Sequence, residues 1–473
     1  MTPLETILQH FSLPKELYGQ PFELHPLQVE AVNRVADWPN VGLFLDTGTG
    51  KTVVEILLSL YRLINGAETA IIIMPPTLVT QWGKWLARVK RIDGSDLKVV
   101  EYVGTPTVRK GLSLQADFVL VGIQIFKLDY DRFVKHFKGR KYHVAIDEAT
   151  MLSNINTDSH EKVFDFCQGM TQDLLTGTPV SNPEDAYGIL KFTYPGCYRS
   201  KRAFENVHVT SYDFWGKPSV WENLDILKKN LETNTVRVLF EDMYPDAEQP
   251  LFIALPYTLD KAHIKLYREL AEVKLLEVED EQKIDAVQAG KLTHALGQII
   301  LNYGHFAGDE KKKSRTLDVI EQRIKEINSK VVVFANYRMS ISLLLRRFEH
   351  YRAVAINGDV NDKQKQAAVS RFVEDPACRM IVIHPKSGGF GLDGLQHVSH
   401  HIIFAEPVQS PSVFHQCVAR LKRTGQRKRV AVTLLSAEGT VQNRAVQNLI
   451  KNDTIAGQVI DNAISLRAAV FGQ

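Results

Sequence analysis

Cysteine is scarce in this 473-residue chain: Cys167, Cys197, Cys378 and Cys417 lie far apart, with no CxxC pair and no Cys/His spacing suited to zinc. That excludes a disulfide framework and a zinc ribbon, and leaves four reduced core thiols. An excess of one charge is lacking too. The 57 basic and 54 acidic residues leave a net charge of +3, so bulk electrostatics do not mark a polyanionic partner and any basic surface must be local. The opening MTPLETILQHF has neither the basic start nor the apolar stretch of a signal peptide, and no run of about 18 apolar residues occurs. A soluble, cytoplasmic protein with no membrane partner is expected. Neither an internal repeat nor a low-complexity tract is present.

What is present is ordinary globular composition, 44% hydrophobic and 23% charged, in a chain long enough for two or three domains, so function must come from sites. From Val41 to about Lys191, short apolar runs (VGLFL, AIIIM, LKVVEYV, ADFVLVG, YHVAID, DLLTG) alternate with helix-length segments. From Val331 the grammar returns in KVVVFAN, RAVAIN, RMIVIH, HHIIFAE and VAVTLL. Such alternation predicts α/β lobes whose parallel sheets are flanked by helices. Between them, apart from PLFIAL, charged helix-like stretches predominate. The expected division is a first lobe over 1–196, a mostly helical insertion and linker over 197–312, and a second lobe over 313–473.

The sharpest motif is DTGTGKT at 46–52, set between VGLFL and the helix-like VVEILLSLYRLI. Strand, glycine loop and helix in that order form a phosphate cradle. Thr47, Gly48, Thr49 and Gly50 let backbone N–H groups wrap a polyphosphate, Lys51 supplies a charge for its outer phosphates, and the Thr52 hydroxyl is placed to ligate Mg²⁺. Leu45 stands where the usual pattern begins with Gly or Ala. A second metal ligand and a group that handles water are needed at a neighbouring strand end, and YHVAIDEAT supplies Asp147 for the metal and Glu148 for the water. In QCVARLKRTGQ, Arg420 and Arg423 share a face if the segment is helical, and two guanidiniums there could meet one anion. Alone, each has a plainer reading: a glycine turn, an acidic helix cap and a solvated basic surface.

Taken in order, these segments resemble helicase superfamily 2, in particular its Swi/Snf-type branch of double-stranded DNA translocases, over roughly residues 22–455. LHPLQ is similar to the adenine-reading Q motif, with Gln28 as its glutamine, and IIIMPPTLVTQW to motif Ia. LLTGTPVSN resembles motif III of that branch, VVVFANY motif IV and HPKSGGFGLDGL motif V. Gln416, Arg420, Arg423, Gly425 and Gln426 reproduce the spacing of motif VI. Thr150 replaces a frequent His in motif II, and Asp393 a usual Asn in motif V.

The resemblance implies tandem RecA-like lobes, with ATP and Mg²⁺ held by Gln28, residues 47–52 and Asp147. It also implies catalysis by Lys51, Glu148, Gln416, Arg420 and Arg423, and a ribose or finger-positioning role for Asp393. Nucleic-acid contacts are then expected at Thr80, Gln81, Gln124, Asn336, Tyr337, Lys386 and Ser387: short polar groups that hold phosphates without reading bases. Trp82 reads as a core residue rather than a base stacker. The expected function is an ATP-driven motor on double-stranded or branched DNA, with a strand-separating helicase or an ATP-gated scaffold as alternatives. A bacterial, archaeal or viral source is expected.

Overall fold

The computed structural model describes residues 1–17, 20–213, 216–279, 286–358, 360–386, 392 and 394–459. Ser387 and Asp393 lie outside them. Two compact units emerge, the first built mainly from Met1–Ser211 and Pro218–Pro245, the second mainly from Asp246–Gly457.

Seven strands form the sheet of the first unit: β1 (Asn40–Leu45), β2 (Thr69–Met74), β3 (Val99–Tyr102), β4 (Phe118–Gly122), β5 (Tyr142–Asp147), β6 (Thr171–Leu175) and β7 (Thr235–Val238). Their spatial order is β7-β1-β6-β5-β2-β4-β3, and every pairing is parallel. The central runs read as continuous Val, Ile and Leu because helices cover both faces; every residue of β2 and β5 is buried. Alternate side chains such as Phe44, Ile71, Ile73, Val144 and Ile146 pack with Phe126, Phe133 and Phe166 from the helices. Full burial of each such side chain contributes about 1.5–3 kcal/mol.

Register then places the site. Leu175 at the end of β6 lies opposite Asp147 of β5 on one side and Leu43 of β1 on the other. The loops leaving these three strands therefore meet at one sheet edge, where parallel α/β sheets bind ligands.

The second unit carries β8 (Leu251–Tyr257), β9 (Lys330–Phe334), β10 (Val354–Ile356), β11 (Met380–Ile383), β12 (Ser399–Phe404) and β13 (Ala431–Ala437), in the order β8-β13-β12-β9-β11-β10, again all parallel. Val332, Phe334, Ile381, Ile383 and Phe404 face one core, while Val331, Val333, Met380 and Val382 face another. The two parallel α/β lobes expected from the sequence are both there.

The segment over 197–312 does not stand apart. Its strand β7 pairs with β1 and extends the first sheet, with Gly42 beside Thr235; its strand β8 pairs with β13 and extends the second. The chain thus changes unit near Pro245, within the expected insertion. Its helices include Lys201–His208, Leu224–Glu232, Lys261–Glu279 and Ala286–Leu301. Among the described residues, no helix is long and apolar enough to cross a membrane.

Candidate functional site

The loop after β1 owes its shape to two glycines. Gly48 (φ 91°) and Gly50 (φ 85°) both take left-handed backbone, which disfavours a Cβ. Gly50 N-caps α1 (Lys51–Ile64), so the first amides of that helix open onto the loop. Lys51 Nζ donates to the Leu45 carbonyl at 3.0 Å, and Thr49 Oγ1 to the Asp46 carbonyl at 2.7 Å. Thr47, Gly48, Lys51 and Thr52 are partly exposed around the cradle, while the Thr49 side chain is buried beneath it.

Gln28 is buried and spends both ends of its amide. Its Oε1 accepts from the His25 N–H at 3.0 Å, capping the helix Pro26–Val35, and its Nε2 donates to the Thr49 carbonyl at 2.9 Å. A Cβ on Gly50 would fall 2.2 Å from that Nε2. The structure therefore ties Gln28 to the loop itself.

Asp147 and Glu148 follow β5. Asp147 is 5% exposed and accepts from the Trp82 indole N–H at 2.9 Å and from the Glu148 amide at 3.0 Å. Burial raises the pKa of its carboxyl, against the pull of the Lys51 charge. A dry carboxylate facing an ammonium, with the Thr52 hydroxyl on the adjoining helix, suits a divalent cation that would neutralise it. Glu148 sits at φ 56°, ψ 55°, a left-handed conformation uncommon for a residue with a side chain and typical of functional positions. Trp82 is indeed a core residue, at 1% exposure, but its polar link to Asp147 was not legible in the sequence.

The turn after β6 completes this edge. Thr176 is buried and its hydroxyl accepts from the Thr178 amide at 3.1 Å. Arg237 of β7, absent from the sequence-based site, pairs with Asp46 Oδ1 at 2.9 Å and donates to the carbonyls of Phe44 and Gly177, each at 2.9 Å. No motif flagged it: one arginine in a four-residue edge strand carries no local signal.

In the second unit the condition that Arg420 and Arg423 share a helical face is not met. The helix α2 (Pro411–Val418) carries Gln416 but stops at Val418, and Arg420 and Arg423 lie on the turns that follow. Gln426 Nε2 donates to the carbonyls of Leu421 and Ser399, which fixes the chain in this bent path, and Gly425 adopts φ 91°. Arg420 is 7% exposed, and Arg423 Nη1 donates to the Leu392 carbonyl at 3.0 Å.

Asn336, Tyr337 and Lys386 line one cavity of about 490 Å³, together with His294, His384 and Glu406. The buried Glu406 holds its floor, accepting from the amides of Asn336 at 2.6 Å and Tyr337 at 3.2 Å and from Ser340 Oγ at 2.5 Å. Burial pushes its carboxyl up to about 7. The Asn336 side chain is engaged with the Pro407 carbonyl at 2.9 Å. Thr80 and Gln81 are exposed on the helix Val79–Leu86, and Gln124 on the helix Ile123–Leu128, each following a strand of the first sheet.

A family model described as SNF2-related domain matches residues 29–308, more than half of the chain. The chain belongs to the SNF2-related family. A second model, helicase conserved C-terminal domain, matches residues 312–425 and so takes in Arg420 and Arg423. Among curated SNF2-type relatives, the DNA repair and recombination protein RAD54-like of Drosophila persimilis is 24% identical over 476 residues, covering 88% of this chain and 60% of that protein. RAD54 of Saccharomyces cerevisiae is 21% identical, covering 88% and 52%. An uncharacterized ATP-dependent helicase of Mycoplasma genitalium is 22% identical, covering 85% and 38%. The chain thus spans 60% or less of these three relatives. With fly, yeast and Mycoplasma among them, they support neither the prokaryotic or viral source nor the cytoplasmic setting expected from the sequence. The SWI2/SNF2 ATPase core of Sulfolobus solfataricus solved with dsDNA aligns with a TM-score of 0.42 at 19% identity, covering 95% of this chain and 97% of that one.

Proposed function

We propose that this SNF2-related chain hydrolyses ATP to translocate on double-stranded DNA. The observation that carries the reading is the convergence of Lys51, Thr52, Asp147 and Glu148 at the ends of β1 and β5, which flank β6, in a chain whose second family match contains Arg420 and Arg423. The cradle of residues 47–50 and the first amides of α1 bind the polyphosphate, with Lys51 leaving the Leu45 carbonyl to meet it. Thr52 and Asp147 would hold Mg²⁺, which supplies charge neutralisation at the transferring phosphoryl group. Glu148 orients the attacking water. Arg420 and Arg423, with Gln416 just before them, stabilise the charge gathered on the departing phosphate. Gln28, linked to the Thr49 carbonyl, makes loop shape sensitive to nucleotide occupancy.

Thr80, Gln81 and Gln124 of the first unit and Asn336, Tyr337, Lys386 and Ser387 of the second grip the phosphodiester backbone in this reading, so that each cycle advances the motor along any sequence. Duplex or branched DNA is the track, and the names of the RAD54 relatives, which specify DNA repair and recombination, support that choice. The deciding experiment is displacement of a third strand from a triplex. ATP-dependent removal of that strand, without separation of the duplex beneath, is the expected result. Duplex separation with no triplex removal would replace translocation by strand unwinding.

A further inference from the structure

Asp46 opens the DTGTGKT loop, so a carboxylate stands where a polyanion has to enter. Both its oxygens are restrained: Oδ1 by Arg237 Nη2 at 2.9 Å, and Oδ2 by the Phe240 N–H at 3.2 Å. The other arm of the same guanidinium, Nη1, reaches the carbonyls of Phe44 and Gly177. Arg237 therefore touches the strand before the loop, the first residue of the loop, and the turn after β6. That turn is itself close against the loop, since a Cβ on Gly177 would lie 3.3 Å from the Thr47 amide nitrogen and 3.4 Å from Lys51 Nζ. The planar, permanently charged fork of arginine can serve a carboxylate and two carbonyls together, which an ammonium cannot do in the same geometry.

From this we infer that Arg237 is a positioning residue for nucleotide binding: it holds the Asp46 carboxylate out of the phosphate cradle and fixes the cradle against the Gly177 turn. The inference rests on the ATP reading of the loop. With Arg237 gone, the carboxylate loses its counter-charge and faces the incoming phosphates, so affinity falls before chemistry does. The arginine reaches the nucleotide only through Asp46 and the backbone, and accordingly its loss is reversible by a second change at Asp46.

The test compares ATP KM, kcat and equilibrium binding of a fluorescent ATP analogue in the full chain for Arg237→Ala, Arg237→Lys and Arg237→Ala/Asp46→Asn, with Lys51→Ala as the control for the site. Arg237→Ala is expected to raise KM about tenfold or more, with a smaller fall in kcat. The double variant should recover most of the lost affinity, because the repelling charge is gone. Arg237→Lys, which keeps the charge but not the fork, should lose less affinity than Arg237→Ala yet fall short of wild type, and it carries the test if the alanine variant does not fold. Unchanged KM in Arg237→Ala, or a loss not relieved by Asp46→Asn, overturns the inference. Nucleotide turnover surviving in Lys51→Ala would instead sink the ATP reading of the loop, whatever Arg237 does.

Discussion

Trp82 donates its indole N–H to Asp147 Oδ2 at 2.9 Å across 65 residues of sequence. The contact joins the helix after β2 to the acidic pair after β5. Thr80 and Gln81, proposed to touch the DNA backbone, are exposed on the same helix as the buried Trp82. A shift of that helix on DNA binding would reach Asp147, the carboxylate proposed to hold Mg²⁺, through one hydrogen bond.

Replacing Trp82 by Phe keeps most of the buried volume and removes the donor. A hydrogen bond to a charged group contributes about 1.5–3 kcal/mol, and each 1.36 kcal/mol is about tenfold in rate, so turnover should fall about 10- to 100-fold if the bond is fully used in the transition state. The Mg²⁺ concentration for half-maximal activity should rise. Magnesium titrations of ATPase rate check this; a normal magnesium requirement with normal turnover would show that the indole only fills space.

Gly50→Ala should abolish nucleotide binding while the rest of the unit stays folded. The new methyl meets a φ of 85° and the Gln28 amide at 2.2 Å together. Left-handed backbone alone costs a non-glycine residue about 1–2 kcal/mol. Adding Gln28→Ala removes the clash but not the backbone strain, so only partial recovery of binding is expected by calorimetry. Full recovery would mean that the glycine serves packing and not loop conformation.

Glu55 of α1, His143 of β5 and Asp173 of β6 form a fully buried polar cluster, with His143 Nε2 3.2 Å from Glu55 Oε1 and 3.6 Å from Asp173 Oδ2. Burial pushes Glu55 up to about 8 and Asp173 up to about 7, and His143 down to about 4. For the two carboxyls the folded state holds protons that the unfolded chain releases, so their stabilisation is complete below 3.8–4.5 and is lost as pH rises through 7–8. For His143 the sign reverses: stability is present above 6.5 and is lost as pH falls through about 4. The melting temperature should therefore decline between about pH 5 and 8, and Glu55→Gln should flatten that decline. Parallel melting curves for the two proteins would refute a neutral Glu55.

Much of this was legible because it is local. VGLFL, AIIIM and YHVAID are strands buried on both faces, and DTGTGKT and DEAT sit where their strands end. The strand TVRV was not legible: four residues with an arginine inside carry no strand period, and only its pairing with β1 makes it one. PLFIAL did read as a strand, but not as a member of the second sheet, since pairing with β13 spans a long stretch of chain. The arginines of motif VI lie beyond the end of their helix, in turns where the Arg420 and Leu421 amides bond back three residues to Cys417 and Val418, a local path that no residue pattern announced. Arg237 and the Trp82 hydrogen bond escaped because their partners are set by tertiary approach alone.

The most direct measurement is ATP turnover with and without double-stranded DNA, in the wild type, Lys51→Ala and Glu148→Gln. Turnover stimulated by the duplex is expected in the wild type, none in either variant, and retained ATP binding in Glu148→Gln. Duplex-independent turnover, or appreciable hydrolysis in either variant, would contradict the proposed ATP-driven translocation.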